Sequence, residues 1–424
     1  MRYLASPGAL EKQRQKARKA RRQADRPPTV HYFHQVDDPY SHLAVQKLDE
    51  LRARYPLTFE PHLVAAPGSA YRGSDAHFDA WALADASQVA ACYHTEFQPA
   101  LETPDRDAVA RANAILAPML SEDSFAAQAF LVGQALWAGR AIDATGNAAA
   151  GTSAVAQGNA LRSQLGHYQG GMFYFDGEWF WGIDRIRSLE ARLQDEGLGD
   201  GDARLCVPEP EPEVGPRAET TDIHLEYFPS LRSPYTAIGH QRVLDLIERS
   251  GVRVSVRPVM PMLMRGIPAP RAKQRYIITD AAREGRERGT PFGKIVDPFG
   301  PPVKKAFALF PGAAAMDAEL AFVTAYLNAA WFEGIDITTD QGLAQVAGDA
   351  GLDWQALHDA ARGADWESVL EDNLQAMFSN SLWGVPSFRV TGGNSASVFA
   401  CWGQDRTWRV ATEIARRAGA GTVT

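Results

Sequence analysis

The chain repeats a strand, a turn with a Pro-Tyr pair and an amphipathic helix at a spacing of about 195 residues. A repeat of that length implies duplicated domains, because solenoid units are far shorter. In the first copy the strand is Val30 to Phe33 and the turn Asp38-Pro39-Tyr40, and Ala44, Leu48, Leu51 and Tyr55 share one helical face. In the second the strand is Ile223, Leu225 and Tyr227, the turn Ser233-Pro234-Tyr235, and the buried face Val243, Leu244 and Ile247. Trp137 in ALWAGRAID and Trp331 in AAWFEGIDI lie 194 apart, and WGIDR at 181–185 returns as WGQDR at 402–406. The larger final offset implies added residues late in the second half, where ITTDQGLAQVAGDAGLDWQALHDAARG supplies helical material.

Val252, Val254 and Val256 alternate with Arg253, Ser255 and Arg257, which predicts a strand exposed on one face. It follows the second copy's helix directly, so strand, helix and strand make a parallel crossover. A helical stretch from about Pro270 to Arg362 precedes the next strand, Phe388-Arg389-Val390, and splits the sheet. Gln194 to Asp222 is acidic, rich in Pro and Gly and without apolar periodicity, which predicts a linker with few contacts of its own. The expected organisation is a basic extension over 1–28, domains at 29–193 and 222–418, a linker at 194–221 and a tail at 419–424.

With 424 residues, 45% of them hydrophobic, the chain can bury more than one core. A net charge of −8 speaks against general nucleic-acid binding, which needs clustered positive charge. No apolar run reaches the ~18 residues of a membrane span, so no membrane partner is expected. Met1 to Leu10 is too short and mixed for a signal peptide, and the basic stretch from Lys12 to Arg22 reads as a solvated or frayed helix. Cys92, Cys206 and Cys401 form no CxxC pair and no zinc knuckle. An odd cysteine count without an export signal fits a reducing compartment, so a cytoplasmic location is expected.

Two segments carry chemistry. Ser233-Pro234-Tyr235 marks a helix start, with serine as N-cap and proline at the first helical position. That is an ordinary helix beginning, and it is also a place where unpaired N–H groups and a partial positive charge favour a thiolate. A serine there forms no disulfide, so the thiol would come from a ligand, and Arg232 beside it would favour the same charge. In Trp383-Gly384-Val385-Pro386-Ser387-Phe388 the proline enters a strand. A cis bond there would turn the backbone of Val385 outward to pair with an extended peptide; an edge-strand proline is the plainer alternative.

YFPSLRSPYTAIG, RPVMPMLMRG, the KQRYI helix followed by GTPFG, then GVPSF and CWGQDR occur in that order. Together they resemble the hydroxychromene-carboxylate isomerase and kappa glutathione transferase branch of the DsbA-like thioredoxin superfamily. The resemblance covers nearly all of 222–418, and 29–193 resembles the same family more weakly. It implies an α/β protein of two thioredoxin-like domains, each with a helical insertion, and glutathione as cofactor. It also implies that Ser233, followed by Pro234 and Tyr235, supports the glutathione sulfur, that Val385 and Pro386 pair with the glutathione backbone, and that Gln404 and Asp405 meet its γ-glutamyl end. Many relatives carry an asparagine in a turn after the second strand, where this chain reads Arg265-Gly266-Ile267-Pro268. Lys273 and Tyr276 on the following helix are candidates to compensate, or else ordinary core and surface residues.

The first half departs at both critical places. Asp38 stands where the serine is expected and would repel a thiolate. GGMFYF lacks a proline, with Met172 aligned to Pro386 when Asn159 is set against Asn373. A structural role follows, with the halves paired as subunits pair in a dimer. His31 and His34 face opposite sides of a strand, and His42, His77 and His94 show no ligand spacing, so no metal is expected. Three functions stay open. The first is a glutathione-dependent isomerase or transferase acting on a small electrophile, such as a conjugated aromatic-pathway intermediate, with Met260, Met262, Leu263 and Met264 as candidate pocket lining. The others are a DsbA-type thiol-disulfide oxidoreductase, which the missing CxxC argues against, and a non-catalytic peptide- or thiol-binding module.

Overall fold

The computed structural model describes residues 1–73, 75–99, 103–142, 146–211 and 222–419. By internal contacts the chain forms an N-terminal unit, residues 8–210 with 269–276, and a C-terminal unit, residues 1–7, 211–268 and 277–424.

The N-terminal unit begins with helix α1 (Pro7–Gln23), strand β1 (Thr29–His34) and helix α2 (Pro39–Val45), and continues with β2 (Thr58–Leu63), β3 (Met172–Phe175), β4 (Glu178–Trp181) and helix α3 (Ile186–Asp195). The sheet order is β2-β1-β3-β4, with β1 and β2 parallel and the other pairs antiparallel. Helices between β2 and β3, among them Arg106–Leu116, Phe125–Trp137 and Ala148–Gln164, form the expected insertion. Ala44, Leu48, Leu51 and Tyr55 are all fully buried, although the helix breaks after Val45 and resumes at Leu48.

The basic segment is docked and not frayed. Arg14 of α1 makes a two-pronged ion pair with Glu178 (2.8 and 3.0 Å), Arg18 pairs with Glu196 (2.6 Å), and Arg21 pairs with Asp176 (2.9 Å). Arg192, with a side chain only 1% exposed, bridges Glu178 and Glu196 from inside, so the pairs form a network. An isolated surface pair contributes about 0–1 kcal/mol, but here the buried Arg192 would lose one of its two counter-charges if either glutamate were removed. The expected linker is also docked in its described part. Glu190, fully buried, accepts from the backbone N–H groups of Cys206 (2.8 Å) and Val207 (2.9 Å), and Val207 is buried. Residues 212–221 of that linker, and 420–424 of the tail, lie outside the described residues.

The C-terminal unit has strands β5 (His224–Phe228), β6 (Arg253–Val256), β7 (Ser387–Gly392) and β8 (Ser395–Trp402) in the order β6-β5-β7-β8, again with one parallel pair, β5 with β6. Helix α4 (Pro234–Ser250) links β5 to β6, α5 (Arg271–Glu287), which this unit holds from Ile277 onward, opens the helical insertion, and α6 (Thr407–Arg417) closes the unit. Of the expected face of α4, Val243 is buried, while Leu244 and Ile247 are half-buried and Leu246 takes the inward place. Residues 1–7, expected to be part of a separate extension, belong to this unit: Ala5 is buried in its core and Arg2 Nε donates to the Ile295 carbonyl (2.7 Å).

Both units are thus thioredoxin-like sheets split by helices. Among the described residues no helix is long and apolar enough to cross a membrane.

Candidate functional site

The chain leaves β5 at Phe228, turns through Pro229 to Arg232, and enters α4 at Ser233. Ser233 has extended backbone (φ −105°, ψ 117°), the conformation an N-cap needs, and its Oγ accepts the Thr236 N–H at 3.1 Å. Pro234 supplies the first helical position, where a missing N–H costs nothing. The turn is anchored beneath: Trp331, buried in the helical insertion, donates its indole N–H to the Leu231 carbonyl (3.3 Å).

The Val385-Pro386 peptide bond is cis, and the Val385 carbonyl faces Ser233, whose Oγ donates to it across 3.5 Å. That distance is at the outer limit of a hydrogen bond, so the hydroxyl keeps its donor capacity for a better acceptor. Ser387 Oγ donates to the Gly384 carbonyl (2.7 Å), and Gly384 packs against the Trp402 ring with no room for a Cβ. The Gly403 N–H donates to the Pro386 carbonyl (2.9 Å), which brings the Trp402 to Asp405 segment to the proline loop.

Other expected residues have different occupations. Gln404 is buried: its Nε2 donates to Glu284 (3.1 Å), its Oε1 accepts from Arg242, and its Cβ lies against Gly239 of α4. Its side chain thus bridges α4 and α5. Asp405 keeps a 21% exposed carboxylate, 3.7 Å from Arg406. The Tyr235 hydroxyl donates to buried Asp280 (2.8 Å), tying α4 to α5. Arg232 forms a two-pronged pair with Asp297 (2.6 and 2.8 Å), so most of its charge is neutralised there. Lys273 and Tyr276 belong to the N-terminal unit: Lys273 Nζ donates to the Tyr71 carbonyl (2.7 Å), and Tyr276 packs in the cluster of Phe33, Val64 and Met172. Met260 and Met264 pack against the insertion core.

Arg265 stands out in the turn that reads Arg265-Gly266-Ile267-Pro268. It ends a short 3-10 turn, Met262–Arg265, and its Nη2 donates to the Trp383 carbonyl (3.1 Å), two residues before Val385. Its Nε and Nη1 are buried without a hydrogen-bond partner among the described residues. Burial pushes its guanidinium down to about 10, and the charge of Glu371 offsets only part of that loss of water.

The cysteines lie elsewhere. Cys92 is exposed, Cys401 is buried on β8, and Cys206 is pushed up to about 12 by burial and by Glu190. A thiol in that range stays protonated and unreactive.

In the N-terminal unit the matching helix start carries Asp38, whose carboxylate accepts from Ser41 N (2.9 Å) and Ser41 Oγ (2.8 Å). It adjoins a cavity of about 150 Å³ lined by Gln35, Asp37, Asp38, Arg72, Trp137 and Gln169. Burial raises Asp37 and pushes Asp38 up to about 6. The ladder corrects the expected alignment of Met172 with Pro386. Phe33 pairs with Met172 as Phe228 pairs with Ser387, and the Gly182 N–H donates to Gly171 as Gly403 does to Pro386. Gly171, at φ +64°, therefore takes the proline's place.

No curated protein matches the chain significantly. Among solved structures, 2-hydroxychromene-2-carboxylate isomerase is 19% identical, with 46% of this chain and 98% of that chain covered and a TM-score of 0.37. The cytosolic disulfide reductase DsbM from Pseudomonas aeruginosa is 16% identical over 46% of this chain and 96% of its own, with a TM-score of 0.34. DsbA from the same organism is 14% identical over 49% and 90%, with a TM-score of 0.30. Residues 224–415 match the family model described as the DSBA-like thioredoxin domain.

Proposed function

We propose that the C-terminal unit is a glutathione-dependent isomerase or transferase, in which Ser233 holds the ligand's sulfur as a thiolate at the start of α4. The observation that carries this reading is the Ser233 hydroxyl, which accepts from Thr236 and spends its own proton only on a 3.5 Å contact with Val385. A sulfur seated there would receive that proton as a hydrogen bond and would feel the positive end of a seventeen-residue helix. The three cysteines being elsewhere, the sulfur belongs to the ligand.

The cis Val385-Pro386 peptide offers backbone groups to an extended tripeptide, the partly exposed Asp405 carboxylate suits its ammonium, and the N–H groups of Arg265 that lack a partner among the described residues suit a carboxylate. Gln404 drops out of the proposed contacts because its side-chain oxygen and one of its N–H groups are already engaged by Arg242 and Glu284. In the reaction the thiolate adds to an electrophilic carbon, forming a C–S bond and moving an electron pair onto the conjugated carbonyl. Rotation about the former double bond and expulsion of the thiolate completes an isomerisation. Protonation of the adduct by water completes a transfer.

The N-terminal unit reads as a duplicated copy that has lost this chemistry. In support, Tyr40 donates to Asp85 as Tyr235 does to Asp280, both across 45 residues, and Gln35 N donates to Ser41 Oγ as Ser230 N does to Thr236 Oγ1. Two acidic residues at its helix start oppose a thiolate.

Calorimetric titration of the full chain with glutathione and with S-methylglutathione tests the reading. Tighter binding of the free thiol is expected. Equal binding of both would favour a peptide-holding module, and no binding of either would overturn the glutathione assignment.

A further inference from the structure

We infer that the N-terminal unit holds a divalent transition-metal ion between His31, Glu60 and His62. The parallel register of β1 and β2 sets His31 beside Glu60 and Phe33 beside His62. Side chains two residues apart on a strand share a face, so the two histidines and the glutamate leave the sheet together.

Their donor atoms converge. His31 Nδ1 lies 3.0 Å from His62 Nε2 and 3.3 Å from Glu60 Oε2, and His62 Nε2 lies 3.9 Å from Glu60 Oε1. Ligands bound at about 2.0–2.2 Å to one ion sit roughly 3.0–3.5 Å from each other, so only small side-chain rotations separate this arrangement from coordination. Two imidazole nitrogens and one carboxylate select zinc or ferrous iron over magnesium or calcium, and leave further positions for water.

The surroundings hold the rings and leave an entry. The His62 ring stacks on buried Phe33 (centroids 5.0 Å apart), and the His31 ring lies against Tyr174 (6.1 Å). Glu60 is half exposed, so an ion can arrive from solvent. The charge of exposed Arg26 also reaches His31, opposed by that of Glu60. The site lies on rigid strands and needs nothing from the proposed thiol site, so the two readings stand or fall separately.

The test is calorimetric titration of the metal-stripped full chain with zinc, followed by cobalt absorption spectra. One equivalent of zinc is expected. Affinity should fall more than about tenfold in His62→Gln and in Glu60→Gln, with loss of the intense visible cobalt bands. Glu60→Gln removes a charge at an exposed position, so it reads the site even if His62→Gln folds poorly. His94→Gln, at an exposed histidine of the same unit, should change nothing. A flat zinc titration, or one unchanged in both Glu60→Gln and His62→Gln, would overturn the inference.

Discussion

Ser233 Oγ lies 3.1 Å from Thr236 N and 3.5 Å from the Val385 carbonyl oxygen, so one hydroxyl touches both the helix start and the proline loop. Changing Ser233 to Ala removes cap and donor together and should lower stability by about 1 kcal/mol. Ser233→Asp keeps the cap but puts a negative charge where the sulfur would ionise. It should unfold at the wild-type denaturant concentration and lose thiol-dependent turnover. Full turnover in Ser233→Asp would contradict the proposed role.

Arg265→Gln tests the cationic side of the same site. With two N–H positions buried and unpartnered, the guanidinium contributes little to stability, so the variant should unfold within about 1 kcal/mol of the wild type. Glutathione affinity should drop on the order of tenfold or more, and Arg265→Lys should not restore it, because a point charge does not replace a fork. Unchanged affinity in Arg265→Gln would remove this residue from the site.

Gln404 and Asp405 should separate cleanly. Gln404→Ala leaves Arg242 and Glu284 short of a partner and should destabilise by about 1–3 kcal/mol. Asp405→Asn, at a partly exposed carboxylate, should leave the unfolding midpoint in place and weaken glutathione binding with little effect on a ligand lacking the ammonium group. Equal stability loss in both variants would show that Asp405 is structural as well.

Asp38 gives a pH signature. Its folded value of about 6 lies above the unfolded value of about 3.9, so the stability it contributes is full below about pH 4 and is lost as pH rises through 6. Asp38→Asn keeps a capping oxygen without the charge. Urea unfolding should therefore show stabilisation of roughly 2–3 kcal/mol at about pH 8 and almost none at about pH 4. The same difference at both pH values would refute the assignment.

Gly171 explains why the first helix start is not one substitution away from the second. A Cβ there would meet Asp38 Oδ2 at 2.8 Å on a backbone at φ +64°, so Gly171→Ala should cost more than about 1 kcal/mol. Proline, fixed near φ −65°, does not fit that backbone. Asp38→Ser should accordingly bind no second equivalent of glutathione by calorimetry, and a second equivalent would defeat the argument.

Local chemistry is legible in the chain itself. The N-cap at Ser233, the capping Asp38, the alternation that makes β6 and the apolar face from Ala44 to Tyr55 all depend on neighbours within a few residues, and each stands where its spacing predicts. The strand-helix-strand units and the helices inserted after them follow from the same signals, while the thioredoxin-like fold is what the family resemblance implies.

What the tertiary structure decided are partnerships between residues far apart in the chain. Nothing near Arg232 announces Asp297, nothing near Gln404 announces Arg242 and Glu284, and nothing near Arg14 announces Glu178. The one-residue shift from Met172 to Gly171 is set by the ladder with β1, because register fixes which side chain faces inward and no gap in an alignment carries that information. His31 shows no metal spacing along its own strand, yet the parallel crossover returns the chain 29 to 31 residues later and lays Glu60 and His62 beside it. Sequence sets the conformation of each segment; packing alone chooses which distant charge or ring it meets.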